Sequence, residues 1–397
     1  MTIQIHKLAV QRLARVLLGV TVAGALAVLS GCATAPPPPK LPLLAWPEPP
    51  DMARIQFVRS IVSDDDLKKD STDHEAILHF LEGEVPAKNR IVMPMGLAVS
   101  DDADRLYVSD NVQSAIFVYD FAKKTSLKIG GDKSLSSPMQ LALDAQENIY
   151  VVEQEKKGVA VFDRKGKQLN FFTDPSIVRP TGIAIDRARG KVYVCDTAHA
   201  KSWDHDVKVF NLQGKFLGKV GLGKGNVDGA MLYPTFLTVD SKGDLYVSDT
   251  LNARIQVFDP NGKFVRKFGS RGTDFGQFDN PKGVALDSFG NAYVVDSGWS
   301  NVQIFNTEGK ILLFFGGRGT YPGLMQNPTV IAIDKNNRIY VGDNLNHRVN
   351  VYQLVNTTAA DSHPKDAAAA KKADASAKKD DAAAKKDDAP AKKSPAK

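Results

Sequence analysis

The 397-residue chain has 51 lysines and arginines, 45 aspartates and glutamates, and a net charge of +6. The excess positive charge comes from the two ends, because residues 32–360 contain 38 basic and 38 acidic side chains. A neutral body argues against the basic face that nucleic-acid binding requires. Two cysteines exclude the disulfide framework of a small secreted domain.

Residues 1–31 are typical of an export signal. A start with basic residues leads into the apolar run 16–29, which is too short to span a membrane. The sequence Leu-Ser-Gly-Cys at 29–32 resembles a bacterial lipobox, which implies cleavage before Cys32 and diacylation of its sulfur. An ordinary signal peptide with a chance cysteine is the alternative. Because Ala33 stands where the inner-membrane retention pattern has aspartate, we expect an outer-membrane lipoprotein of the bacterial cell envelope that faces the periplasm.

Two segments lie beside the first predicted strand. Residues 32–52 are rich in proline and predict a stiff, extended spacer between the lipid and the folded domain. Residues 62–93 connect the first strand to the repeats that follow. Within this connection, the stretch 73–83 predicts a short helix that begins near Thr72 or Asp73. We expect the helix to pack on the outside of the domain or to cover one of its faces.

Six copies of one pattern follow, at spacings of 42–54 residues. Each copy opens with a proline, and a later tyrosine is followed three positions on by an acidic residue. The prolines are Pro94, Pro138, Pro180, Pro234, Pro281 and Pro328. The tyrosines are Tyr107, Tyr150, Tyr193, Tyr246, Tyr293 and Tyr340. The acids are Asp110, Glu153, Asp196, Asp249, Asp296 and Asp343. A repeat of this length predicts an array of identical structural units.

Each copy contains four short apolar runs, which in the fifth copy are 283–286, 292–295, 302–305 and 311–315. They are rich in valine, isoleucine and aromatic residues and are separated by turns such as 287–291, which predicts strands. The runs are apolar on both faces, as in sheets that are covered on both sides. Four-stranded antiparallel units arranged in a ring predict an all-β fold, a six-bladed β-propeller.

The segments 249–269 and 343–352 resemble the NHL-repeat family, the second with the Asn-His-Arg form of its signature. The resemblance implies a six-bladed propeller over residues 53–356. It leaves the function open, because that family includes RNA-binding, protein-binding, sensor and enzymatic members. The sixth copy lacks a fourth strand, and residues 53–61 resemble the fourth strand of another copy. We therefore expect them to close the last blade and to leave no exposed sheet edge.

Residues 357–397 predict a disordered tail. From Asp361 onward the chain contains no β-branched or aromatic side chain, so it cannot form a core. The tail could contact anionic lipid or cell-wall polymer, or it could remain solvated.

Features that recur in every copy are interpreted as scaffold. The acid that ends each second strand is expected to accept hydrogen bonds from backbone amides of the next turn. Arg254 and Arg348, at matching positions, are expected to brace loops, and Cys195 is expected in the core. The aspartates that end the first strands are expected to begin tight turns. They are Asp144, Asp186, Asp240, Asp287 and Asp334.

Departures from the repeat are the candidate binding residues. The third copy has a longer connection between its second and third strands, 197–206, which brings His199, Trp203 and His205 to the face with the longest loops. His199, Asp204 and His205 could also ligate a metal, but their spacing matches no known zinc pattern. No metal is therefore assigned.

Further candidates are expected on the same face. Trp299 lies in the corresponding turn of the fifth copy, and Lys224, Arg271 and Arg318 make the connections between copies locally basic. Lys282 follows an opening proline, at a position expected to face the central channel.

The NHL resemblance also bears on catalysis. NHL-type amidating lyases have zinc-binding histidines directly after two of the opening prolines, and this sequence has none there. His347 stands at a family-like position, but one histidine cannot hold a catalytic zinc with three protein ligands. No catalytic residue and no cofactor is assigned.

The sequence therefore predicts a non-catalytic, monomeric binding scaffold, attached to the membrane by its lipid. It would present a loop-rich face to a protein or polymer of the cell envelope, with the contact formed by residues 197–206, 269–281 and 316–328. The alternative is a periplasmic metal-dependent lyase or hydrolase at the mouth of the channel, which requires the histidines to converge with carboxylates.

Overall fold

The residues that the computed structural model describes are 44–67, 88–131, 134–358 and Asp361. They form an all-β, six-bladed propeller of antiparallel sheets, which confirms the fold predicted from the repeats. The signal peptide with Cys32, the predicted helix at 73–83 and the tail beyond Asp361 lie outside the described residues.

Two strands precede the first repeat, β1 (Ala45–Trp46) and β2 (Ile55–Ile61). Blade one consists of β3 (Pro94–Val99), β4 (Arg105–Asp110), β5 (Ala115–Asp120) and β6 (Thr125–Gly130). Blade two consists of β7 (Pro138–Leu143), β8 (Ile149–Glu153), β9 (Gly158–Phe162) and β10 (Gln168–Thr173). Blade three consists of β11 (Pro180–Asp186), β12 (Lys191–Asp196), β13 (Asp206–Asn211) and β14 (Phe216–Val220).

Blade four consists of β15 (Pro234–Val239), β16 (Leu245–Asp249), β17 (Arg254–Phe258) and β18 (Phe264–Phe268). Blade five consists of β19 (Pro281–Leu286), β20 (Ala292–Asp296), β21 (Asn301–Phe305) and β22 (Ile311–Gly316). Blade six contains β23 (Pro328–Ile333), β24 (Arg338–Asp343) and β25 (Arg348–Leu354). Short 3-10 turns are formed by Asp64–Leu67 and Thr250–Asn252.

The first strands of the blades form the inner ring of the propeller. Each begins at its repeat proline, a position that tolerates the missing N–H group of this residue. Successive first strands contact one another from β3 through β7, β11, β15 and β19 to β23, and β23 contacts β3 again. The ring surrounds a central cavity of about 270 Å³.

The hydrophobic core lies between neighbouring blades. Tyr107 and Ile116 of blade one, for example, pack in one cluster with Leu141 and Val151 of blade two. The repeat tyrosine of every second strand is buried, because the two faces of each sheet are covered by the sheets of the neighbouring blades. Burial of one such large side chain contributes about 1.5–3 kcal/mol. The recurring tyrosine is therefore part of the scaffold.

The N-terminal strands close the ring at blade six. Strand β2 pairs antiparallel with β25, and β1 adds a fifth strand outside β2. The ring of Trp46 lies 6.0 Å from Phe315 and 5.9 Å from Tyr352. The spacer predicted for residues 32–52 therefore ends earlier than expected, because the Trp46 ring packs onto the core of blades five and six.

The C-terminal end of the described chain returns to the same place. Asp361 pairs with Arg54 at 3.1 Å and accepts hydrogen bonds from the backbone N–H and hydroxyl of Thr358, both at 2.8 Å. Residues assigned to the start of the disordered tail thus contact the propeller beside its point of closure.

Candidate functional site

The acid at the end of each second strand anchors the loop that enters its blade. In blade five, Asp296 accepts hydrogen bonds from the backbone N–H groups of Asp279 at 2.8 Å and Asn280 at 3.0 Å. It also accepts one from Gly298 in the next turn, at 2.9 Å. The predicted scaffold role is confirmed, with an addition: the preceding inter-blade loop is held as well as the following turn. The equivalent acids that accept from their own inter-blade loops are Asp110, Glu153, Asp196, Asp249 and Asp343.

The other residues interpreted as scaffold also act locally. Asp287 accepts hydrogen bonds from the N–H groups of Phe289 and Asn291, both at 2.9 Å, and so begins the turn after the first strand. Arg254 and Arg348 lie buried beneath their inter-blade loops and donate to loop carbonyl oxygens. The predicted bracing of loops by these arginines is confirmed.

The long connection of blade three divides into exposed and buried parts. His199 and Trp203 are exposed, Trp203 by 76%. His205, which the sequence grouped with them, is fully buried instead, since it directly precedes β13. Its Nδ1 accepts a hydrogen bond from the backbone N–H of Tyr233 at 3.0 Å, and its ring packs edge-on against the Tyr233 ring. Burial lowers the pKa of His205, which favours the neutral ring.

Two of the histidines considered for the enzymatic alternative, His205 and His347, lie in different parts of the fold. His205 is in the core of blade three, whereas the Nδ1 of His347 lies 2.5 Å from the carbonyl oxygen of Val92, at the junction of blades six and one. Across residues 44–67, 88–131, 134–358 and 361, no three side chains of the metal-ligating types converge.

The two basic residues predicted for the contact surface, Arg271 and Arg318, donate to backbone carbonyl oxygens. Arg271 is exposed and donates to the carbonyl oxygens of Leu251 at 3.0 Å and Asp279 at 3.1 Å. Arg318, also exposed, donates to the carbonyl oxygen of Gly298 at 3.4 Å. Both therefore combine a bracing contact with a cationic surface.

Lys282 lies at the inner end of blade five, where the sequence expects it to face the channel. Burial lowers the pKa of its ammonium group, and the charge of Arg179 lowers it further. Arg179 directly precedes β11 of blade three, and blade four separates these two blades. The charge of Arg179 thus reaches Lys282 although blade four lies between their two blades.

Replacing Lys282 with threonine is expected to stabilise the propeller by about 0.5–2 kcal/mol at neutral pH. Threonine occupies the equivalent position in three blades, as Thr181, Thr235 and Thr329. Because the folded-state pKa is lowered, the ammonium penalty is fully present at neutral pH and disappears as pH rises past the ordinary value of 10.5. Urea denaturation at pH 7 and at high pH measures both effects. Lys242→Thr, on an exposed turn, serves as the control, and a less stable Lys282→Thr variant would contradict the assignment.

A cleft of about 420 Å³ opens on the loop-rich side of blade five. We name it the blade-five cleft; its lining includes Asp274, Phe275, Gln277, Trp299, Asn301 and Phe314. Phe275 is 75% exposed and Trp299 is 43% exposed. The ring centroids of Phe275 and Phe314 are 5.4 Å apart. The sequence predicted Trp299 and the segment 269–281, which contains Asp274, Phe275 and Gln277, but it did not single out Asn301 or Phe314.

Family comparisons agree with this architecture. A model of the SMP-30/gluconolactonase/LRE-like region matches residues 61–181. A model of the NHL repeat matches residues 231–258, which run from the inter-blade loop through β17. This chain is a six-bladed β-propeller with a match to the NHL repeat in blade four. Within the described ranges of the propeller, no helix has the length and apolar character needed to cross a membrane.

Curated relatives resemble this chain over short stretches. The Drosophila melanogaster protein brain tumor is 28% identical over 139 residues, which is 34% of this chain and 12% of that protein. The Caenorhabditis elegans RING finger protein nhl-1 is 42% identical over 62 residues, which is 16% of this chain and 6% of that protein. The chain thus matches only a small part of each relative's length.

Solved structures share the fold at low sequence identity. A streptogramin B lyase structure has a TM-score of 0.51 and 14% identity, with 68% of this chain and 95% of that chain covered. An auxiliary nutrient binding protein from Bacteroides thetaiotaomicron has a TM-score of 0.53 and 13% identity, with 66% and 69% covered. One fold therefore carries a lyase and a binding protein, and the site must decide between such roles.

Proposed function

We propose that this propeller is an exported, lipid-anchored binding scaffold of the bacterial cell envelope. Its loop-rich face would take a protein or polymer partner. Export and anchoring are supported by the signal-like residues 1–31 and by Cys32 in its lipobox-like context. The binding role is supported chiefly by the blade-five cleft, which combines exposed aromatic rings with polar side chains. Such clusters characterise the centres of binding surfaces.

Photo-crosslinking in growing cells tests the proposal. A photoreactive phenylalanine analogue replaces Trp299 in one strain and Leu251 in another. Leu251 is a matched control, because it is 46% exposed in the equivalent turn of blade four. A discrete adduct at position 299 that is missing at position 251 is the expected result. No adduct at either position, or the same adducts at both, would reject this surface.

Fractionation of the same cells tests the anchor. The protein is expected in the outer-membrane fraction and to incorporate labelled fatty acid. A Cys32→Ala variant is expected to lose the label and to leave that fraction. Unchanged labelling of the Cys32→Ala variant would contradict attachment at this cysteine.

A further inference from the structure

The third strands of blades four, five and six begin at equivalent positions. The strand registers pair Arg254 with Asp249, Asn301 with Asp296, and Arg348 with Asp343. Asn301 therefore occupies in blade five the position that is an arginine in both neighbouring blades. An asparagine side chain is much shorter than an arginine side chain, so it cannot fill the space that the arginine fills in the neighbouring blades.

In blade four that space is occupied by the arginine itself. The guanidinium of Arg254 lies beneath the inter-blade loop and donates to the carbonyl oxygens of Asn226 at 2.9 Å, Val227 at 3.0 Å and Ala230 at 2.9 Å. Arg348 contacts the carbonyl oxygens of its own loop in blade six in the same way. The loops of these blades are thus held by a cation from below.

The loop of blade five has the same conformation but lacks the cation. The parallel bridges that align the two loops are Lys224 to Met231 in blade four and Arg271 to Phe278 in blade five. This alignment places Thr273, Asp274 and Gln277 where the three residues contacted by Arg254 lie. All of them line the blade-five cleft together with Asn301. The cleft therefore lies where the neighbouring blades hold a guanidinium group.

The rim of the cleft is aromatic, whereas the equivalent positions of blade four are charged. In blade four, Lys267 of the outer strand β18 pairs with Asp228 of the inter-blade loop at 2.5 Å. The equivalent positions in blade five hold Phe314 and Phe275, and Trp299 completes the rim on the side of the turn. An ion pair has thus been replaced by aromatic faces, which attract cations through their ring quadrupoles.

The polar groups inside the cleft call for a hydrogen-bond donor. The Oδ1 of Asn301 is buried and has no hydrogen-bond partner. Both ends of the Gln303 amide are hydrogen-bonded, because its Nε2 donates to the carbonyl of Gln277 at 2.7 Å and its Oε1 accepts from the N–H of Gly276 at 3.1 Å. Asp274 adds an exposed carboxylate. An entering donor would pair with the Oδ1 of Asn301, and the carboxylate of Asp274 favours a positive charge.

We propose that the blade-five cleft binds the guanidinium group of an arginine side chain presented by a protein partner. The inference rests on the proposed function, namely that this face takes a partner, and specifies the chemistry of the contact. A guanidinium offers five N–H donors in a plane that also stacks on aromatic rings. It would occupy the place that Arg254 and Arg348 occupy in their blades. Arg271 and Arg318 are already directed to backbone carbonyls.

Fluorine NMR of the full-length chain, labelled with 5-fluorotryptophan, tests this proposal. The probes are the capped tripeptide Gly-Arg-Gly and its citrulline and lysine counterparts, with glucose as a neutral, aromatic-stacking probe. The resonance of Trp299, assigned with a Trp299→Phe variant, is expected to shift with the arginine peptide. The citrulline peptide is expected to bind about tenfold more weakly, because it keeps the shape and loses the charge. Equal binding of both peptides, or preferential binding of lysine or glucose, would overturn the proposal.

Two variants separate a specific site from general affinity. Asn301→Arg restores the arginine of blades four and six and is expected to abolish binding of the peptide while keeping the fold. Asp274→Asn, on the exposed loop, is expected to weaken binding about threefold to tenfold without any change in stability. Unaltered binding in both variants would overturn the proposal.

Crosslinking at position 299 distinguishes a failure of the guanidinium site from a failure of the proposed partner surface. An adduct at Trp299 that persists in the Asn301→Arg strain, together with no arginine binding, rejects the guanidinium site and leaves the binding scaffold intact. Arginine binding without any adduct supports the site and rejects the proposed partner surface. Loss of both in the Asn301→Arg strain supports both.

Discussion

A chain that begins at Val62 is expected to lose cooperative folding, whereas a chain that begins at Leu44 keeps it. The shorter chain lacks β1 and β2, so blade six retains only three strands and β25 becomes an exposed edge. It also lacks Ile55, Phe57 and Ile61, all buried. At about 1.5–3 kcal/mol for each side chain, the loss is roughly 5–9 kcal/mol. That is comparable to the total stability of a typical domain, about 5–15 kcal/mol.

Urea denaturation followed by circular dichroism measures this effect in both chains. A synthetic peptide of residues 44–61, added to the shorter chain, is expected to restore the folded signal, because an unpaired edge strand accepts a complementary strand. Equal unfolding midpoints for the two chains would contradict the closing role of β2. A shorter chain that folds without the peptide and ignores it would do the same.

The fold was predictable because the sequence features that define a blade recur six times. Pro281 opens a strand in blade five, Tyr293 is buried in the next strand, and Asp296 ends it, and the same succession recurs in every blade. Chance cannot produce six copies in phase. Closure by residues 55–61 was also recognisable, because the last copy lacked a strand that another part of the chain resembled.

The blade-five cleft was not predictable as a cleft, because it depends on register. Phe275 belongs to a loop, Phe314 to an outer strand, and Asn301 to the strand beside it. Their proximity follows only once Asn301 is known to lie opposite Gly316. Trp299 and the loop 269–281 were predicted as contact residues, but nothing in the sequence placed Asn301 and Phe314 beside them.

The sequence did not predict the burial of His205, and the reason is different. A longer connection does not reveal which of its residues continue the following strand, and the sequence placed His205 with the exposed loop. In the structure β13 begins at Asp206, so His205 already lies within the covered end of the blade. Only the exposed part of the connection, around Trp203, remains available to a partner.

The residue that begins each third strand differs among the blades, and with it the charge at that position. It holds an arginine in blades four and six and an asparagine in blade five, whereas Asp206 begins the strand in blade three. Two residues on, Lys208 lies on the same face and is only 1% exposed. Its ammonium group lies 2.7 Å from one carboxylate oxygen of Asp206, and that of Lys219 lies 3.3 Å from the other. Burial raises the pKa of Asp206, and the lysines oppose this shift.

Replacing Asp206 with asparagine is therefore expected to destabilise the propeller by about 3–5 kcal/mol, because it leaves the buried ammonium of Lys208 without its nearest countercharge. Combining it with Lys208→Gln reproduces the pair Asn301 and Gln303 of blade five, and most of the stability should return.

Urea denaturation of the single and double variants measures the two changes against a surface control. Asp101→Asn disrupts the solvent-exposed pair with Arg187 and should cost less than about 1 kcal/mol. A single Asp206→Asn variant no less stable than this control would show that the lysine escapes to solvent. A double variant as unstable as the single one would show that the cost comes from the lost carboxylate rather than from the stranded ammonium. The expected order places the cost on the buried, unpaired lysine, which is why blade three needs an aspartate where its neighbours have other residues.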